Sequence, residues 1–215
     1  LVDHGPYVSG AVNTIVTARA GRDLVSSLAA GLLTIGPRFG GAINQAADIW
    51  LDGVQRDISP VTLVEQFAAD KRYIAGIGHR KYRMDSPDPR VAKLLAFAHD
   101  LENRPYTDFA QGVEAVTVHK KGNLILNVDG AIAAVLLDLL AETEGYTPEQ
   151  LAALVDAEFF NALFVLSRSV GFIAHFLDQK RLDEGLLRLS EDDVAAAPLE
   201  SPASRGSAES ELNAD

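Results

Sequence analysis

The 215-residue sequence predicts a mainly α-helical protein. Three observations carry that prediction. Apolar residues recur at spacings of three and four, residues 147–150 spell a sharp helix start, and no convincing period-2 ladder is present. Leu24, Leu28, Leu32 and Ile35 form the first periodic face, and Ile43, Ala46, Ala47, Trp50 and Leu51 the next. Val91, Leu94, Leu95, Ala98 and Leu101 repeat it. Thr117 to His119 and Asn123 to Asn127 are short extended pieces at most. Thr147-Pro148-Glu149-Gln150 sets an N-cap, a first-turn proline and a glutamine three residues after the cap. Phe159 to Leu177 is apolar nearly all round, with Arg168 in its middle. Its length would cross a bilayer, but a central arginine is costly in lipid, so a helix buried in the core or between subunits is expected, with no membrane partner. Within it, Arg168 needs an anion, either a structural carboxylate or a ligand, because an unpaired buried charge is expensive.

Composition narrows the function classes. Hydrophobic residues make up 47% and charged residues 23%, which is ordinary globular usage. A chain of this length buries roughly 70% of its unfolded surface, enough for one sizeable domain or two lobes sharing a core. With no cysteine, disulfides, iron–sulfur clusters, thiolate zinc sites and a catalytic thiol are excluded. A net charge of −11 argues against a nucleic-acid surface. Between Lys71 and Arg90, however, the local charge is +4, leaving −15 on the rest. Such a loop fits a small polyanionic ligand or a merely solvated surface. From Glu191 to Asp215 the chain is rich in acids, Ala, Ser and Pro, and reads as a disordered acidic tail. The sequence begins at Leu1 inside a motif, without an initiator Met or a signal-peptide pattern, so a fragment or processed module in the cytoplasm is expected.

His99, His119 and His175 read as structural or solvated. His4 and His79 differ because glycine turns flank them, in Asp3-His4-Gly5-Pro6 and Gly76-Ile77-Gly78-His79-Arg80. Glycine admits close approach of a ligand to the backbone and sets the imidazole on a fixed turn. Asn127-Val128-Asp129-Gly130 places a carboxylate at a turn before an apolar helix at Ala131. Histidine paired with carboxylate is the usual equipment for proton transfer. Dinucleotide, P-loop, H-E-x-x-H and G-x-S-x-G patterns are absent, and the histidines lack metal-ligand spacing, so no metal is expected. The residues alone suggest acid–base chemistry on a polycarboxylate or phosphate-bearing substrate.

Longer motifs then enter. DHGPYVSGAVNT (Asp3 to Thr14), ARAGRDLVSSLAAGLLTIGPRFGGA (Ala18 to Ala42), GIGHR (Gly76 to Arg80), NLILNVDG (Asn123 to Gly130) and GFIAHFLDQKRL (Gly171 to Leu182) closely resemble the citryl-CoA lyase module of the ATP-citrate lyase family, within the citrate synthase superfamily. The resemblance runs in order from Leu1 to about Asp193. It implies an all-α citrate synthase fold, with a large lobe at 1–40 and 141–194, a small lobe at 41–140 and a tail at 195–215. It also implies retro-Claisen cleavage of citryl-CoA to acetyl-CoA and oxaloacetate, with coenzyme A as the carrier.

By that resemblance, His4, His79 and Asp129 are the catalytic positions. His79 would hydrogen-bond the citryl hydroxyl and emerging carbonyl, Asp129 would exchange the proton at the acetyl carbon, and His4 would contact a carboxylate or the hydroxyl. Arg80 and Arg90 match arginines that grip substrate carboxylates, and Arg168 one that reaches in from a neighbouring subunit. A homodimer or homotetramer is therefore expected, along with a citrate-activating ATP-grasp module or subunit. Lys120, Lys121, Arg72 and Arg83 are the candidates for coenzyme A phosphates, Lys120 by motif and Arg72 and Arg83 by position and charge. True citrate synthases carry a histidine where Phe39 stands in Arg38-Phe39-Gly40-Gly41, here counted among the substrate-binding positions. A phenyl ring cannot donate to an enolate, so Phe39 favours the lyase over the alternatives, a citrate or 2-methylcitrate synthase; a non-catalytic oligomerisation module is the third reading.

Overall fold

A computed structural model describes residues 1–36 and 39–190; the acidic tail and Arg38 lie outside the described residues. Helices form along each periodic face, although Ile35 and Leu101 lie past the ends of their helices and Phe159 lies in a 3₁₀ turn. In order they are α1 (Ser9–Arg19), α2 (Leu24–Leu32), α3 (Ala42–Gln55), α4 (Pro60–Ala69), α5 (Pro89–Ala98), α6 (Pro105–Thr117), α7 (Val128–Thr143), α8 (Pro148–Asp156) and α9 (Ala162–Leu182), with a 3₁₀ turn at Phe159–Asn161 before α9. Among the described residues there is no strand, only isolated bridges such as Ile77 with Leu126. The extended piece expected at Thr117 to His119 is instead the end of α6 and the turn after it.

Local chemistry explains most of the starts. Ser59, Asp88 and Thr147 each cap a helix whose first residue is proline, and Thr147 with Gln150 closes a full capping box. Asn127 accepts hydrogen bonds from the amides of Asp129 and Gly130, both at 3.1 Å. That cap starts α7 at Val128, three residues before the apolar run, so Asp129 stands in the first helical turn.

Two groups of helices pack. The larger surrounds α3 and α7, whose Trp50, Ile43 and Leu137 are fully buried, with α4, α5, α6 and α8 around them. The smaller joins α1, α2 and α9. Helix α9 buries only one face, through Phe164, Arg168, Gly171, Phe172 and Phe176. Its opposite face stays open: Leu166 is 69% exposed and Val170 54%. Segment 159–182 is the single described helical segment long and apolar enough to cross a membrane by length and composition, and it packs on α1 and α2 with Arg168 at its centre.

One close approach sets up the site. A Cβ at Gly130 would lie 2.7 Å from the Gly76 Cα, so only two glycines allow these backbones to touch. Gly76 and Gly78 also hold φ of +86° and +99°, the left-handed region that favours glycine. The start of α7 is thereby pressed against the 76–79 turn.

Candidate active site

Four segments meet at one cavity of about 710 Å³: residues 1–4, the loop 78–82 with Arg90, the start of α7, and α9. His4, His79, Arg80, Arg90, Asp129 and Arg168, drawn from across the sequence, all line it.

The loop carrying His79 is tied down along its length. Gly78 N–H donates to Ile125 O at 2.7 Å and His79 N–H to Asn123 O at 3.0 Å. In return the side-chain amides of Asn123 and Asn127 donate to the carbonyls of His79 and Gly78 at 3.1 and 3.0 Å. The imidazole is fixed as well: its Nδ1 accepts from the backbone amides of Lys81 and Tyr82, both at 3.0 Å. A ring nitrogen that accepts carries no proton, so neutral His79 holds its proton on Nε2 and is a donor there. Protonating Nδ1 would break both bonds. Burial and the Arg90 charge lower the His79 pKa against the opposing pull of Asp88, which keeps the ring neutral.

Burial raises the Asp129 pKa, while Arg90, Arg168 and His79 draw it back down. The result is a carboxyl suited to both holding and releasing a proton. Arg90 is held in a bidentate grip by Asp88, with Nε at 3.0 and 3.1 Å and Nη2 at 2.6 Å from the carboxylate oxygens. Asp88 is 1% exposed. Burial works to raise its pKa, but the Arg90 hydrogen bonds outweigh that and hold it below the usual carboxylate range. In the sequence Asp88 is one of only two acids in the basic stretch from Lys71 to Arg90, and the cap-plus-proline pair Asp88-Pro89 just before Arg90 is the signal that marks it.

Arg168 is 4% exposed and has no carboxylate partner among the described residues. Its Nε donates to Leu1 O at 2.9 Å, and its buried Nη1 has no hydrogen-bond partner among the described residues. The guanidinium stacks over Phe164 at 4.7 Å and Phe39 at 5.5 Å, and the two rings meet edge to face. Phe39 therefore builds an apolar wall under Arg168. The resemblance implied service to a neighbouring subunit's site; within the single chain, Arg168 lines the same cavity as His79 and Asp129. Arg80 lines it too, exposed and without an ion pair among the described residues.

The four further cations are placed differently. Arg72 and Lys120 flank a separate apolar groove formed by Phe67, Tyr73, Ile74 and Ile77, and Arg72 stacks on Phe67 at 4.6 Å. Ile77 joins this groove to the His79 turn. Arg83 and Lys121 line neither space; they sit in exposed turns, Arg83 in a tight turn with Ser86. His175, read as structural or solvated, pairs with Asp3 at 2.9 Å. Among the described residues no cluster of His, Cys, Asp and Glu gathers to hold a metal ion.

An all-helical fold places two imidazoles, three arginines and the carboxylates of Asp3 and half-buried Asp129 around a single cavity, an arrangement able to exchange protons and to bind carboxylates. Residues 1–190 match the family described as citrate synthase, C-terminal domain, and the chain belongs to that family. It is 50% identical over 193 residues to ATP-citrate synthase beta chain protein 2 of Arabidopsis thaliana, covering 89% of this chain and 32% of that protein. It superposes on ATP citrate lyase from Methanothrix soehngenii, solved with citrate and coenzyme A, with a TM-score of 0.89 and 42% identity over 94% of this chain and 33% of that one. Against citryl-CoA lyase from Hydrogenobacter thermophilus the TM-score is 0.72, at 30% identity over 95% of this chain and 77% of that one. The chain spans about a third of the length of the curated plant relatives it matches. The citrate synthase fold expected from the sequence is thus the observed one.

Proposed function

We propose that this chain cleaves citryl-CoA into acetyl-CoA and oxaloacetate. The observation that carries the reading is the convergence of a neutral Nε2 donor (His79), a half-buried acid with a raised pKa (Asp129) and a buried arginine without a carboxylate partner among the described residues (Arg168) on one cavity.

In the proposed reaction Arg80, Arg90 and Arg168 bind the substrate carboxylates; fork geometry makes arginine suited to fixing their orientation. The Nε2–H of His79 donates to the oxygen that begins as the citryl hydroxyl and ends as the oxaloacetate carbonyl. His4, the other imidazole on the cavity, takes the hydroxyl proton. The carbon–carbon bond breaks, its electron pair passes to the acetyl carbon, and Asp129 delivers a proton there. One proton leaves oxygen and one reaches carbon, so the step balances. Closure of the helices around α3 and α7 onto α1, α2 and α9 excludes water from the intermediate.

Coenzyme A lies along the Tyr73–Ile77 groove, with its phosphates toward Arg72 and Lys120 and with Arg83 and Lys121 as outer cations. A homodimer or homotetramer covers the open face of α9, where Leu163, Leu166 and Val170 stand in solvent. A citrate-activating ATP-grasp portion, on the same or another polypeptide, supplies the citryl-CoA in the cytoplasm. The test is oxaloacetate release from synthetic citryl-CoA without ATP, coupled to NADH oxidation by malate dehydrogenase. Rapid release is expected; a folded chain that releases none contradicts the reading.

A further inference from the structure

On α9, Arg168, Gly171 and His175 succeed one another at spacings of three and four, so they share one face over two turns, about 10 Å. That face grips the segment leading into His4 at each of its residues. Arg168 Nε binds Leu1 O at 2.9 Å, and a Cβ at Gly171 would strike the Val2 carbonyl. His175 Nε2 sits 2.9 Å from Asp3 Oδ1, with 14% of the His175 side chain and 50% of the Asp3 side chain exposed.

An unsatisfied feature lies beside this track. Arg168 is a buried cation whose Nη1 has no partner among the described residues, a costly arrangement, yet Asp3 lines the same cavity and does not pair with it. Among the acids Asp3 exerts the strongest pull on Arg168, ahead of Asp129. An aspartate side chain has only two rotatable bonds and is drawn toward such a cation unless something else holds it. The backbone amides of His4 and Gly5 bind the Asp3 carboxylate from its own turn, and His175 is the one side chain among the described residues that binds it.

We propose that His175 is a positioning residue: by binding Asp3 it keeps that carboxylate off Arg168 and leaves the guanidinium open to a carboxylate of the substrate. The idea rests on the reading of Arg168 as a substrate-carboxylate site. It assigns His175 an indirect role, because the imidazole acts through Asp3 and not on the reacting atoms.

The test compares the whole chain with His175→Ala, His175→Gln and the double variant His175→Ala/Asp3→Asn. Citrate affinity is measured by calorimetry, and KM and kcat for citryl-CoA by oxaloacetate release. His175→Phe replaces His175→Ala if the alanine variant does not fold, since it keeps the ring volume without the donor. Freed Asp3 should compete for Arg168, weakening citrate and raising KM by about tenfold, the factor that ~1.4 kcal/mol of competition produces, with kcat within about threefold. His175→Gln, whose amide still donates to Asp3, should stay near the parent. The decisive arm is the double variant: removing the Asp3 charge should bring citrate affinity back to within about twofold of the parent. A structural defect at α9 would not be repaired by a change at Asp3. Unchanged citrate affinity in His175→Ala, or a loss that persists in the double variant, overturns the proposal. So does a parent chain that does not bind citrate. A parent that binds citrate without cleaving citryl-CoA removes the catalytic reading alone, and the calorimetric comparison still decides the role of His175.

Discussion

Removing Asp88 should damage stability and substrate binding by separable amounts. Its carboxylate caps α5 through the Arg90 amide at 2.9 Å and grips the Arg90 side chain. Losing an Asp N-cap costs about 1 kcal/mol. The ion pair adds about 1 more: the Asp88 side chain is fully buried, but Arg90 remains 46% exposed and water replaces much of what it loses. Asp88→Ala should therefore cost about 2 kcal/mol, or roughly 4–8 °C in Tm for a chain of this size. Asp88→Asn keeps a good cap and should recover about half of that loss. Both variants free Arg90 to swing, so both should raise KM for citryl-CoA by about tenfold while changing kcat less. Thermal melts followed by circular dichroism and steady-state oxaloacetate release read the two effects on the same samples. If Asp88→Ala melts within 1 °C of the parent, or if Asn and Ala are equally unstable, the cap assignment is refuted. Unaltered KM in both refutes the role given to the Arg90 grip.

Two further outcomes follow from the same structure. Asp138 is fully buried on α7 and accepts from the amides of Tyr106 and Thr107 at 3.0 and 2.8 Å, and burial pushes its pKa up to about 6. The folded chain thus holds a proton that the unfolded chain releases near pH 4, so this stabilisation is complete below about pH 4 and is lost as pH rises through about 6. Asp138→Asn should flatten the fall in urea midpoint between pH 4.5 and 7 relative to the parent; parallel profiles would contradict it. Arg72→Ala combined with Lys120→Ala should weaken coenzyme A by about tenfold while citrate affinity stays within about twofold, read by calorimetry with each ligand; equal effects on both ligands would place coenzyme A elsewhere.

The sequence carried the helices best where side-chain chemistry marks their ends. Thr147-Pro148-Glu149-Gln150 holds its whole signal in four adjacent residues, and the capping box is present. Asp129 was legible as a carboxylate beside a glycine but was placed on a turn before the helix, because the apolar run begins at Ala131; Asn127 extends the helix backward by satisfying two amides. The open face of α9 was not legible, since an all-round apolar pattern is the same whether core, partner or solvent covers it. In the cavity, the glycine-flanked histidines stood out locally, whereas the Nδ1 contacts that fix the His79 tautomer come from backbone amides and leave no mark on side-chain type. The Asp3–His175 pair spans 172 residues and has no local signature either.

The central claim is that Asp129 moves the proton at the acetyl carbon, and the most direct measurement is the rate of citryl-CoA cleavage by Asp129→Asn beside its affinity for coenzyme A. Turnover should be abolished while coenzyme A binds nearly as in the parent, because the amide cannot deliver the proton and Arg72 and Lys120 lie along another groove. A folded variant that retains more than about a tenth of the parent rate, a barrier change below ~1.4 kcal/mol, would contradict it.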